Sequence, residues 1–128
     1  MNSIKEVKMV IWGREFTLPV EYEYFSEEYD TDEQISAIKD FAEHEDWVDK
    51  AKGQVESYCK DAVEGDAENN KKDNIFSYIK PDYLFVERKD SEPRVAIMCK
   101  YRYNPEHGVA IIFTHDGKVH VGLQDIIL

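Results

Sequence analysis

Residues 94–121 read RVAIMCKYRY-NPEHG-VAIIFTH-DG-KVHV, and this stretch decides the fold. Val95 to Cys99 is apolar at every position, as in a strand buried on both faces and placed centrally in a sheet. Asn104-Pro105-Glu106-His107-Gly108 supplies turn formers, with Pro fixing φ and Gly free to take positive φ. Val109 to Thr114 is then a second strand. Asp116-Gly117 signals a two-residue type I′ hairpin leading into Lys118–Val121. In that register His115 pairs with Lys118 and Phe113 with His120, which makes His115 and His120 diagonal neighbours on one face.

Upstream, Tyr83–Glu87 forms another strand, joined to Arg94–Tyr103 through the turn Asp90-Ser91-Glu92-Pro93. At the other end of the chain Val7, Met9 and Ile11 alternate with Lys8, Val10 and Trp12, a two-residue period. Phe16, Leu18 and Val20 alternate again beyond a tight turn at Gly13-Arg14, giving a hairpin. Between these β-rich ends the period lengthens. Thr31 and Gln34 fit a capping box ahead of Ile35, Ile38, Phe41 and Ala42. A second helix starts near Asp46, with Trp47, Ala51, Val55, Tyr58, Cys59 and Ala62 as its apolar stripe and Gly65 as its stop. Residues 66–73 are polar and aperiodic, an exposed loop. Asp73 then caps a short helical turn bearing Ile75, Phe76 and Ile79, which Pro81 ends. The apolar tail Ile126-Ile127-Leu128 is expected to dock.

Hairpin, helices, then meander predict an α+β domain: an antiparallel sheet packed against two or three helices on one face. The 128 residues suit one domain, 1–128, and 42% hydrophobic content can furnish its core. Cys59 and Cys99 are too few for a disulfide framework and read as packed thiols in a reducing compartment. With no apolar leader and no apolar run of spanning length, the expected location is cytoplasmic.

The net charge of −11 opposes nucleic acid and anionic membranes, since both are held by Lys and Arg. That charge is local. Glu21 through Asp73 holds 18 acids against 6 bases, while the remainder, with 9 acids and 10 bases, is near neutral. Glu27, Glu28, Asp30, Asp32 and Glu33 cluster around Tyr29 with no base among them, and Glu43, Glu45, Asp46 and Asp49 do the same. Solvated helix faces gain by mixing signs, so a one-signed surface suits a basic protein partner. The residues expected to meet it are Glu27, Glu28, Tyr29, Asp30, Glu43, Asp46 and Asp49, with Glu106 and His107 as a second, loop-borne contact.

Catalysis is not expected. Cys59 and Cys99 lie on buried faces, and there is neither a Gly-rich phosphate loop nor zinc or EF-hand ligand spacing, so no cofactor is implied. The alternative is a metal-binding protein or metal-assisted hydrolase using His107, His115 and His120.

Val10-Ile11-Trp12-Gly13, residues 106–113 (EHGVAIIF) and residues 122–128 (GLQDIIL) resemble a family of small bacterial proteins grouped as a domain of unknown function. That resemblance implies a bacterial cytoplasmic protein and assigns no activity or site. In size and acidity the chain is also similar to immunity proteins, which neutralise a toxin by covering its active site.

Overall fold

The computed structural model describes residues 4–23, 32–66, 74–89 and 91–127. Strands β1 (Glu6–Ile11) and β2 (Arg14–Tyr22) are followed by helices α1 (Asp32–Ala42) and α2 (Glu45–Gly65). A 3-10 turn (Ile75–Ser77) leads into β3 (Ile79–Val86), β4 (Val95–Tyr101), β5 (Val109–Phe113) and β6 (Val119–Gly122), and a last 3-10 turn spans Gln124–Ile126. The six strands form one sheet in sequence order. The class is therefore α+β with a mostly antiparallel sheet.

One pairing departs from the expected antiparallel sheet. β2 and β3 run parallel, with Val20, Glu21 and Tyr22 opposite Leu84, Phe85 and Val86. The α1–α2 segment is the crossover that returns the chain in the same direction, which parallel neighbours require. Gln34 fastens this seam. Its side chain is fully buried, and Nε2 donates to the carbonyl oxygens of Glu23 (2.9 Å), Val86 (3.3 Å) and Glu87 (3.2 Å). Thr31, the other half of the expected capping box, lies outside the described residues.

Side-chain alternation along β4 sorts the core into two clusters. Val95, Ile97 and Cys99 join Ile38 and Phe41 of α1 and Val48, Ala51, Val55 and Cys59 of α2. Ala96 and Met98 point the other way and pack with Phe85, Ala110, Ile112 and Ile127. The unbroken apolar run of β4 is thus explained by burial on both faces. Of the tail, Ile127 is docked, Ile126 is half-exposed and Leu128 lies outside the described residues, so the expected docking holds for Ile127.

Helix α2 ends at Gly65 as expected, but its buried stripe is Val48, Ala51, Val55, Cys59 and Val63. Tyr58 is exposed, because the stripe drifts around the helix at 3.6 residues per turn and leaves it on the solvent side. Glu45 at the start of α2 accepts the amide of Val10 (2.7 Å), and Gln54 donates to the carbonyl of Val119 (3.0 Å). The helix therefore ties down both outermost strands of the sheet.

Three local expectations shift. Ile11 pairs with Arg14, so the β1–β2 turn is Trp12-Gly13 rather than Gly13-Arg14, with φ of 49° and 84° as a type I′ turn needs. The strain of a left-handed Trp12 is offset by its indole N–H, which donates to the Val48 carbonyl (2.8 Å), and by contact with the Phe76 ring. Asn74 caps the 3-10 turn, accepting from the Phe76 amide (3.1 Å), while Asp73, the expected cap, lies outside the described residues. Pro81 lies inside β3, where the register with β4 slips and before β2 begins to pair, so its missing N–H costs no bond to β2.

Candidate functional site

The β5–β6 connection sets up the site. Phe113 pairs with Val119 and Ile112 with His120, so the loop is the three-residue His115-Asp116-Gly117, not a two-residue Asp116-Gly117 turn. Thr114 closes it by donating its amide to the Lys118 carbonyl (2.9 Å). Only Gly117, at φ 82°, is left-handed, as in a type I turn followed by a glycine bulge. The expected diagonal pairing of His115 with His120 is thereby lost. His120 lies opposite Ile112 and shares its face, which is the face of the second cluster. His115 instead lines a cleft on the helical side. His107 sits at the far end of β5, about 17 Å of strand away. Among the described residues no three His, Cys, Asp or Glu side chains converge as a metal-binding group.

The cleft has a volume of about 330 Å³ and lies between α1, the start of α2, the segment entering β4, and the β5–β6 loop. Its walls are apolar: Ala37 and Phe41 from α1, Trp47 from α2, Pro93 and Val95 ahead of and within β4, and Phe113 from β5. The acidic residues Asp32, Glu33, Asp40 and Glu92 also line it, and among the described residues no Lys or Arg does. The helical period explains the α1 side: Glu33, Ala37 and Phe41 stand one above the other at i,i+4, with Ser36 and Asp40 one row over. Glu92 holds a left-handed backbone at φ 52° on the opposite side, an uncommon conformation for glutamate.

Trp47 is held from two directions. His44 stacks on it with ring centroids 4.1 Å apart and planes 8° from parallel. The β5–β6 loop crosses the face of its five-membered ring so closely that a Cβ on Gly117 would stand 2.7 Å from the indole nitrogen. His44 lies between two acids, with Nε2 3.5 Å from Asp40 and Nδ1 3.6 Å from Asp46. Through this histidine the acidic rim continues onto the α1–α2 turn. Thr114 and Asp116 are hydrogen-bonded to each other, and Lys118 lies 3.6 Å from Asp116. The hydroxyl of Thr114 and the charge of Lys118 hold the Asp116 carboxyl below its ordinary value, so this acid is already engaged within its own loop.

The residues expected to bind a partner fall into separate places. Glu27, Glu28, Tyr29 and Asp30 lie outside the described residues. Glu43, Asp46 and Asp49 are exposed around the α1–α2 turn and the first turns of α2, beside the cleft. Glu106 and His107 are also exposed but belong to the β4–β5 loop at the opposite end of the sheet. That loop is held as structure: the Gly108 amide donates to the Asn104 carbonyl (2.8 Å), and Gln124 donates its own amide to the His107 carbonyl (3.2 Å) and its side-chain Nε2 to Cys99 (3.2 Å). His107 itself lies 3.4 Å from Asp125. The structure does not bring this pair to the acidic surface.

Both cysteines are buried and unbridged. Burial pushes the Cys59 thiol up, partly countered by the Tyr101 hydroxyl, and pushes Cys99 up further. Neither is poised as a nucleophile, which needs thiolate and access. The cleft was not foreseen from the sequence, because Glu92, Pro93 and His115 reach α1 only through tertiary packing. The one local signal was Trp47 itself, a large aromatic set between Asp46 and Asp49.

No helix among the described residues is long and apolar enough to cross a membrane. No curated protein and no solved structure matches the chain. A family model matches residues 3–128, nearly the whole chain, and the protein belongs to the family described as Domain of unknown function (DUF6985).

Proposed function

We propose that this is a non-enzymatic protein-binding domain whose acidic helical surface receives a basic protein partner. The observation that carries the proposal is an apolar cleft lined by four acidic residues and, among the described residues, no Lys or Arg, continuous through His44 with the exposed acid Asp46. An apolar centre rimmed by charge of one sign is the arrangement that steers an oppositely charged partner and then desolvates a contact. Small size and acidity support an immunity role as one form of such binding, in which the basic partner is a toxin.

The test is charge reversal. Glu43, Asp46 and Asp49 are exposed, so their replacement by Lys should leave the fold intact and cost only the Asp46–His44 contact and a favourable acid in the first turn of α2, which a circular dichroism spectrum checks. Proteins captured by the natural chain at low salt should be lost from the reversed protein and released from the natural one as salt rises. Capture that is the same for both proteins would refute the acidic-surface proposal.

A further inference from the structure

We infer that the cleft between α1 and the β5–β6 loop is a socket for a single arginine side chain displayed by the partner. This inference rests on the acidic-surface proposal and adds the chemical group that the surface recognises.

The walls demand two properties of an occupant. Ala37, Trp47, Pro93 and Val95 offer apolar contact along the depth of the cleft, so the occupant needs an aliphatic stem. Asp32, Glu33, Asp40 and Glu92 favour a cation at its polar end. Lysine and arginine both have this form. Arginine fits better for two reasons. Its five donors can serve carboxylates arriving from both sides, Asp40 from α1 and Glu92 from the β4 approach. It is also less strongly hydrated than an ammonium group, so entering an apolar-walled cleft costs it less.

The socket can be tested without knowing the partner. The probe is a blocked tripeptide, acetyl-Gly-Arg-Gly-amide, compared with the same peptide carrying citrulline or lysine. Citrulline keeps the shape and removes the charge. Titrated into nitrogen-15-labelled protein at low salt, the arginine peptide should shift the Trp47 indole N–H and the Ala37 amide saturably, while the Trp12 indole, bonded to Val48, stays put. Binding should be about tenfold weaker for citrulline and several-fold weaker for lysine. Glu33→Gln with Asp40→Asn should reduce arginine binding about tenfold. Ala37→Leu, which fills the cleft without touching a charge, should abolish it.

The inference is overturned if the arginine peptide leaves Trp47 unmoved, if citrulline or lysine binds as well, or if Ala37→Leu binds unchanged. Its failure is separable from that of the wider proposal. A silent cleft, with partner capture still lost on reversing Glu43, Asp46 and Asp49, removes the socket and keeps the acidic surface. Arginine binding in a protein whose capture ignores that reversal does the opposite.

Discussion

Gln34 offers the sharpest test of how the sheet is held together. Its amide nitrogen meets three carbonyl oxygens, one from the end of β2 and two from the end of β3, in a fully buried position at the parallel seam. Replacing it with Met keeps the volume and removes both N–H groups. Two buried hydrogen bonds at about 1 kcal/mol each put the loss near 2 kcal/mol. Val86 O still accepts from the Glu23 amide (2.9 Å), which keeps the loss from growing further. Replacing it with Glu is harsher, because a carboxylate would face three carbonyl dipoles without a cation, costing about 3–5 kcal/mol at neutral pH. That carboxyl would have a raised pKa in the folded state. Its penalty is then full above the folded pKa and is lifted as pH falls toward the unfolded value, since a protonated carboxyl can donate once. Urea unfolding of the natural protein, Gln34→Met and Gln34→Glu at pH 7 and pH 5 measures this directly. The reasoning fails if Gln34→Met stays within about 0.5 kcal/mol of the natural protein, or if the Gln34→Glu deficit relative to it does not shrink at pH 5.

Three further outcomes are expected. Burial alone would raise the Glu87 carboxyl, but the side chain and backbone amide of Arg94 outweigh burial and hold it below its ordinary value, through bonds of 2.9–3.0 Å. A depressed folded pKa contributes stability above the unfolded value near 4.3 that is lost as pH falls through the folded one, so Glu87→Gln should cost about 1–2 kcal/mol at neutral pH and flatten the acid limb of a stability–pH curve. Gly108→Ala should destabilise by about 2 kcal/mol or more, since φ is 59° and the new Cβ would lie 2.6 Å from the Cys99 carbonyl oxygen; thermal melting reads this. Both thiols should resist a disulfide-exchange reagent in the native protein and react fully in denaturant, as followed by absorbance, because each is buried with a raised pKa.

The strand content was legible because period-two alternation and continuous apolar runs are local signals, and β4 displays both its faces in five residues. Turn geometry was less so. Trp12-Gly13 and His115-Asp116-Gly117 each differ by one residue from the sequence expectation, since the register is settled by which faces reach the core and not by turn propensity alone. The parallel seam was illegible for another reason. Nothing in Val20-Glu21-Tyr22 or Leu84-Phe85-Val86 states their relative direction, and Gln34, the residue that joins them, reads in sequence as a cap. As for the site, the exposed acids Glu43, Asp46 and Asp49 are visible as a charge run. The cleft beside them depends on Glu92, Pro93 and His115, which no local pattern connects to α1.

The seam between β2 and β3 also bears on how the chain reaches its native state. Every other pairing in the sheet joins strands adjacent in sequence through short connections, so the hairpin β1–β2 and the ladder β3–β6 can each form early. Val20–Tyr22 can meet Leu84–Val86 only after the whole helical segment has been looped across, at a cost in chain entropy that the other pairs escape. The rate-limiting barrier is therefore expected at this closure. Substitutions that weaken the seam should slow folding if Gln34 engages in the transition state, and hasten unfolding if it engages after it.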